Sequence, residues 1–181
     1  MFKPLSIAFS MVLAACISVA ASAQEPKTIE WTDLMPEEDL KMLQSMPEVQ
    51  HDYSQPSPFD DNYNADDPAA QAWQQILTSA RVREEFNNTK VRIPGFIVPL
   101  EFDAQQNVTS FFLVPYFGAC IHVPPPPPNQ IIYVSGASNL RADMIYSPFW
   151  ITGTLTTDTM THDLAHAAYT IKADSVTEYT W

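Results

Sequence analysis

Five consecutive prolines, Pro124 to Pro128, stand between two apolar runs, FFLVPYFGA from Phe111 and IIYVSG from Ile131. No other stretch restricts the chain as much. Each proline lacks a backbone donor and fixes φ, so the run excludes helix and central strand alike. It extends as a stiff polyproline rod of roughly 15 Å. A chain with such a rod between two strand-like runs must turn a rigid corner there. Gly118 marks the tight bend that leads into it, and Cys120 and His122 stand between bend and rod. Residues at i and i+2 on extended chain point the same way. A thiol and an imidazole are soft metal ligands, so the corner can offer both to one ion, zinc before copper. The alternative is a small buried thiol beside a polar imidazole at a strand end.

From Lys90 onward, alternation and β-branched residues dominate. Five runs read as strands: KVRIPGFIVPLEF, VTSFFLVPYF, QIIYVSGA, PFWITGTLTT and YTIKADSVTEY. Pro94-Gly95 predicts a bend or bulge in the first. The fold expected is mainly β with N-terminal helices: a small five-stranded OB-like antiparallel barrel, with a β-sandwich as the alternative. Between the last two strands, TMTHDLAHAAY reads as one or two helical turns. His162 and His166, at i and i+4, would then share one helical face, as in many zinc sites. With Cys120 and His122 they would complete a tetrahedral set. HDLAH has no glutamate where a zinc protease needs its base, so no protease motif is present. An exposed polar helix before the last strand is the plain alternative.

Upstream the chain divides in three. Residues 1–23 carry Lys3, an apolar stretch and Ala21-Ser22-Ala23, the pattern of an export signal with its cleavage site. Leu13-Ala14-Ala15-Cys16 also matches a lipoprotein box, and lipidation at Cys16 is the one route to a membrane that the sequence offers. Residues 24–67 form an arm and linker. Trp31 anchors the arm, Pro36 and the acids after it start a helix over 36–46, and residues 47–68 read as a loop. His51-Asp52 and Asp60-Asp61 within that loop read as solvated turns, since their spacing matches no calcium loop. Residues 68–181 form a helix plus barrel domain. Its helix is expected over 68–87, with Asp67 as cap, Pro68 at the first position and Trp73, Ile76, Leu77 and Ala80 on one face.

Without the signal, about 158 residues remain with a formal charge of about −13. Such acidity repels nucleic acid and anionic lipid. Only Cys120 then remains, so no internal disulfide can form in an oxidising compartment. A catalytic thiol would need His122 as base and Asp143 or Glu101 to orient it. Neighbours at i+2 on extended chain are poorly placed for a direct sulfur–nitrogen hydrogen bond. There is no resolving cysteine for redox work. Four scattered glycines form no phosphate loop. The chain is therefore expected not to be an enzyme.

The stretches GFIVPLEF, FFLVPYFGACIHVPPPPPNQIIYV, FWITGTL and AAYTIKADSV, with IEWTDLMP near the N-terminus, resemble a bacterial family of exported proteins catalogued as a domain of unknown function. The resemblance covers most of the mature chain and centres on CIHVPPPPPNQ. It implies a small periplasmic protein or lipoprotein. Some members are encoded beside ABC-transporter permeases in clusters associated with zinc supply. That implies a metal-handling accessory whose partner is such a permease or another envelope protein. His162 and His166 rest on spacing alone, outside the resemblance.

Overall fold

The computed structural model describes residues 25–45, 68–119 and 126–180. The elements in chain order begin with a short strand β1 (Lys27–Thr28), a 3-10 turn (Trp31–Leu34), helix α1 (Glu37–Ser45) and helix α2 (Pro68–Leu77). Strands follow: β2 (Thr89–Phe102), β3 (Asn107–Val114), β4 (Ile132–Arg141), β5 (Phe149–Thr156), β6 (Met160–Thr161), β7 (His166–Ala167) and β8 (Tyr169–Glu178). The five long strands close into a barrel in the order β2-β3-β4-β8-β5, with β5 pairing back onto β2. Closure rules out the sandwich. The order is that of an OB barrel.

The barrel is mixed, where antiparallel pairing throughout was expected. Four junctions are antiparallel, and β4 pairs with β8 in parallel, Ile132 opposite Tyr169 and Ser135 opposite Lys172. The reason is parity. A closed ring of five strands cannot reverse direction at every junction, so at least one must be parallel.

Strand β2 serves two neighbours because it bends at Pro94-Gly95. Thr89 to Gly95 pair with β5, and from Phe96 the strand pairs with β3. Only glycine suits the bend. A Cβ at Gly95 would lie 2.8 Å from the Leu113 side chain and 2.9 Å from the Val114 carbonyl oxygen. Where β2 has left β3, β1 fills the vacant edge, Lys27 opposite Val91 and Thr28 opposite Arg92. Ile29 and Leu34 then continue into the barrel core with Val91, Ile93, Phe111 and Ile151. Trp31 donates from Nε1 to the Pro94 carbonyl at 2.7 Å, so the arm is docked at the bend itself.

Two helical expectations give way. Helix α2 stops at Leu77, ten residues short of the expected end. Beyond it the chain is claimed by tertiary partners. The Ser79 hydroxyl donates to Asp39 at 2.6 Å, Arg81 pairs with Glu38 and Asp39, and the Arg83 amide donates to the Tyr169 hydroxyl. Phe86, in a short 3-10 turn, is buried in the core. The second case is TMTHDLAH, which forms a β-hairpin, Met160 opposite Ala167 and Thr161 opposite His166. Its two-residue period puts Met160, Ala165 and Ala167 against a second apolar cluster. No helix among the described residues is long and apolar enough to cross a membrane.

Candidate functional site

Cys120 and His122 lie outside the described residues, as does Cys16. Their flanks are described, and both are buried: Ala119 before them and Pro126 after. Ala119 belongs to a cluster on the outer face of the barrel with Phe112, Val114, Ile131 and Ala167. Alternation builds this patch. Phe112 on β3 lies opposite Val98 on β2 and Tyr133 on β4, so all three project outward together. The β6–β7 hairpin folds over it.

The hairpin separates the two histidines. Successive residues of a strand point to opposite faces, and directly paired residues share one. His166 therefore faces the same way as Thr161, whose hydroxyl lies 3.4 Å from its Nε2. The His162 amide donates to the Ala165 carbonyl, one pair further on, and the ring packs edge-on against Phe112 at 6.0 Å. His162 thus lies over the outer patch and His166 on the other face. The shared helical face expected from their i, i+4 spacing is absent, because strand alternation replaces the helical period. His162 Nδ1 also accepts the Leu164 amide at 3.2 Å, which leaves the proton of the neutral ring on Nε2. Among the described residues, no three histidine, cysteine, aspartate or glutamate side chains converge as a metal site.

The two acids considered as orienting partners are engaged elsewhere. Asp143 is held by Arg141 through two hydrogen bonds of 2.9 and 2.8 Å, which keep its carboxyl below the usual aspartate range. Glu101 accepts the Ser110 hydroxyl at 2.8 Å.

The family described as "Protein of unknown function (DUF3299)" matches residues 31–178. The chain belongs to the DUF3299 family. It is similar in structure to a DUF3299 family protein (PA4066) from Pseudomonas aeruginosa PAO1, with a TM-score of 0.64 and 36% identity. That similarity covers 86% of this chain and 97% of the other. No curated protein matches the chain.

In this DUF3299 chain, residues that spacing rules passed over hold the far end of the proline run. Asn129 is fully buried, and its amide group donates to Asp39 at 3.1 Å and to the Arg81 carbonyl at 3.2 Å. Its backbone amide donates to the Ser79 carbonyl at 3.1 Å. Gln130 donates to the Trp31 carbonyl at 2.9 Å. The Pro128 carbonyl accepts the Ala168 amide at 2.9 Å, just after the hairpin. Helix α1, the arm and the β7–β8 junction therefore all meet at Pro128-Asn129-Gln130. The available signal was two amide side chains directly after five prolines, where backbone donors are scarce and side chains must supply them.

Proposed function

We propose that this chain is an exported, non-enzymatic accessory protein that binds a transition metal, zinc before copper, at its proline corner. Cys120 and His122 are the primary ligands, His162 is the third, and water takes the open position. His166 drops out of the set, because it faces away from the outer patch. The observation that carries the reading is the anchoring of both flanks of the Cys-x-His segment, at Ala119 and at Pro126 through Gln130. Ligands held at both ends lose less freedom on binding than ligands on a free loop. His162 lies over the same cluster that buries Ala119. A metal at His162 must displace the Leu164 amide from Nδ1, or bind Nε2 with the proton moved to Nδ1; either way the hairpin tip rearranges. The protein works in the periplasm, membrane-bound only if lipidated at Cys16, and serves an ABC-transporter permease or another envelope protein.

Metal content of the exported protein, purified without chelator or histidine tag, tests this. About one zinc per chain is expected, lost in Cys120→Ser with the fold intact by circular dichroism. No metal, and none taken up on titration, sinks it. A second reading is favoured by Tyr116 (46% exposed) and Phe117 (57% exposed), which lead into the corner. They suit a docking surface for a membrane partner, with Cys120 merely structural. Under that reading, Cys120→Ser and His122→Ala leave metal content unchanged, while Phe117→Ala weakens partner capture.

A further inference from the structure

We infer that the cleft at the bend of β2, between the docked arm and the end of β8, binds a quaternary ammonium group. The cleft is separate from the proline corner and does not depend on a metal there. It encloses about 240 Å³. That is below the roughly 300–1,000 Å³ of sites for drug-sized ligands, so the occupant is one compact group. Trp31, Phe96 and Tyr179 line it, together with the carboxylate of Glu30. Each ring is held by a neighbour. Trp31 Nε1 donates to the Pro94 carbonyl at 2.7 Å, Tyr179 packs on Trp150 with ring centroids 5.0 Å apart, and Phe96 meets Phe117 edge-on at 5.9 Å. The aromatic group already holds one cation, since the Arg92 guanidinium lies over the Trp150 ring at 4.0 Å. Among the described residues, the lining has no lysine, arginine or histidine, and Glu30 takes part in no ion pair.

The supply of donors decides the occupant. Pro94, Pro115 and Pro148 bring no backbone amide to the lining. The indole hydrogen of Trp31 is spent on Pro94, the Tyr179 amide on the Pro148 carbonyl at 2.9 Å, and the Glu30 amide on the Asp33 carboxylate at 2.9 Å. An anion finds no counter-charge here and meets an acid instead. A sugar needs donors for its hydroxyl oxygens, and these are committed. A primary ammonium brings three donors, and the lining offers them one carboxylate. A neutral apolar group gains nothing from Glu30. A methylated ammonium carries charge without N–H donors. It is attracted by aromatic faces, and Glu30 supplies its counter-charge.

The probe is choline, titrated against the exported protein at about 0.15 M salt and followed by NMR. Saturable shifts are expected at the Trp31 indole and at the amides of Gly95, Phe96 and Tyr179. Their absence, or shifts that miss the cleft, overturns the proposal. The decisive comparison uses the unaltered chain. The carbon isostere of choline, 3,3-dimethyl-1-butanol, has the same shape without the charge and should bind about tenfold more weakly or worse. Equal binding removes the cationic requirement and with it the proposal. Glu30→Gln should weaken choline severalfold and Tyr179→Leu about fivefold. The control Asp163→Asn should leave it unchanged, and equal weakening by the control would mean attraction to net charge alone and overturn the site. Flotation with phosphatidylcholine vesicles separates the sources of the group. Flotation that choline competes away assigns a lipid headgroup. No flotation, or flotation that choline leaves unchanged, assigns the free cation.

Discussion

Strand β3 is buried on both faces, and the two are covered by different kinds of chain. Inward, Val108, Phe111 and Leu113 meet side chains from strands whose positions a continuous backbone ladder fixes. Outward, Phe112 and Val114 are covered by Ala119, Ile131 and the β6–β7 hairpin, which are turns and short pairings. The inner face is specified by periodicity. The outer face depends on which connections return to it, and Ala119, at the edge of the Cys-x-His segment, and His162 lie there. Regular structure thus supplies the frame, and irregular chain held by scattered polar contacts closes over it.

The largest effect should come from the inner frame. Gly153 sits at a register shift between β5 and β8. A Cβ there would lie 2.3 Å from the Lys172 carbonyl oxygen and 2.7 Å from Ile171 Cγ2. Backbone must move to admit it. Gly153→Val should cost about 3 kcal/mol or more, read as the loss of urea midpoint. A loss below about 1 kcal/mol would mean that the barrel is softer than its ladder suggests.

The polar contacts that hold the far end of the proline run, which are irregular chain like the outer cover, should be less costly to break. Asp39 is fully buried and receives Ser79, Asn129 and Arg81. Asp39→Ala strips all three, though Arg81 is 44% exposed and can turn to water. About 2 kcal/mol is expected. The sharper readout is local: amide exchange at Asn129 and Gln130 should speed up more than exchange in β3. Uniform acceleration would place these contacts inside the barrel's cooperative unit and dissolve the distinction between laddered frame and irregular chain.

Legibility in the sequence follows the same division. Alternation from Lys90 showed five strands, and Pro94-Gly95 showed the bend, because barrel strands need period two and a bent strand needs a residue without Cβ. The parallel junction was accessible to counting alone, had closure been taken literally. Other features were not legible. HDLAH carries helical spacing and strand spacing at once for so short a stretch, and the apolar patch beneath it chose the strand. Helix α2 ended early because Ser79 and Arg81 were taken by Asp39, forty and forty-two residues away in sequence. No local propensity reports a partner that distant. Asn129 and Gln130 were passed over because amides are read as turn residues, and burial reverses that meaning.

Tyr169 joins the barrel to the arm. Its ring is buried in the barrel, while its hydroxyl donates to the Leu34 carbonyl at 2.9 Å and accepts the Arg83 amide at 2.7 Å. Tyr169→Phe should cost about 1–2 kcal/mol. It should also change the alkaline limb. Burial raises the phenol above its ordinary 10.0, with the Arg83 amide pulling the other way. As pH rises past 10 the unfolded chain loses this proton while the folded chain keeps it, so stability is present below pH 10 and falls above it. The phenylalanine variant should show a shallower fall in that window. An unchanged slope would mean that the hydroxyl is solvated and that the arm is not sealed onto the barrel.

The smallest effects test the hairpin itself. His166 is exposed beside Thr161, so His166→Ala should change stability by less than about 0.5 kcal/mol. His162→Ala removes an edge contact with Phe112 and should cost slightly more, about 0.5–1 kcal/mol. Zinc uptake should divide them far more sharply than stability does. If the outer patch is the metal site, His162→Ala weakens zinc at least as much as loss of one ligand in a three-ligand set demands, and His166→Ala leaves it unchanged. Equal weakening by both would require the hairpin to open and bring the two rings to one side. The outer face would then be the part of the molecule that rearranges on binding, around an inner face that stays fixed.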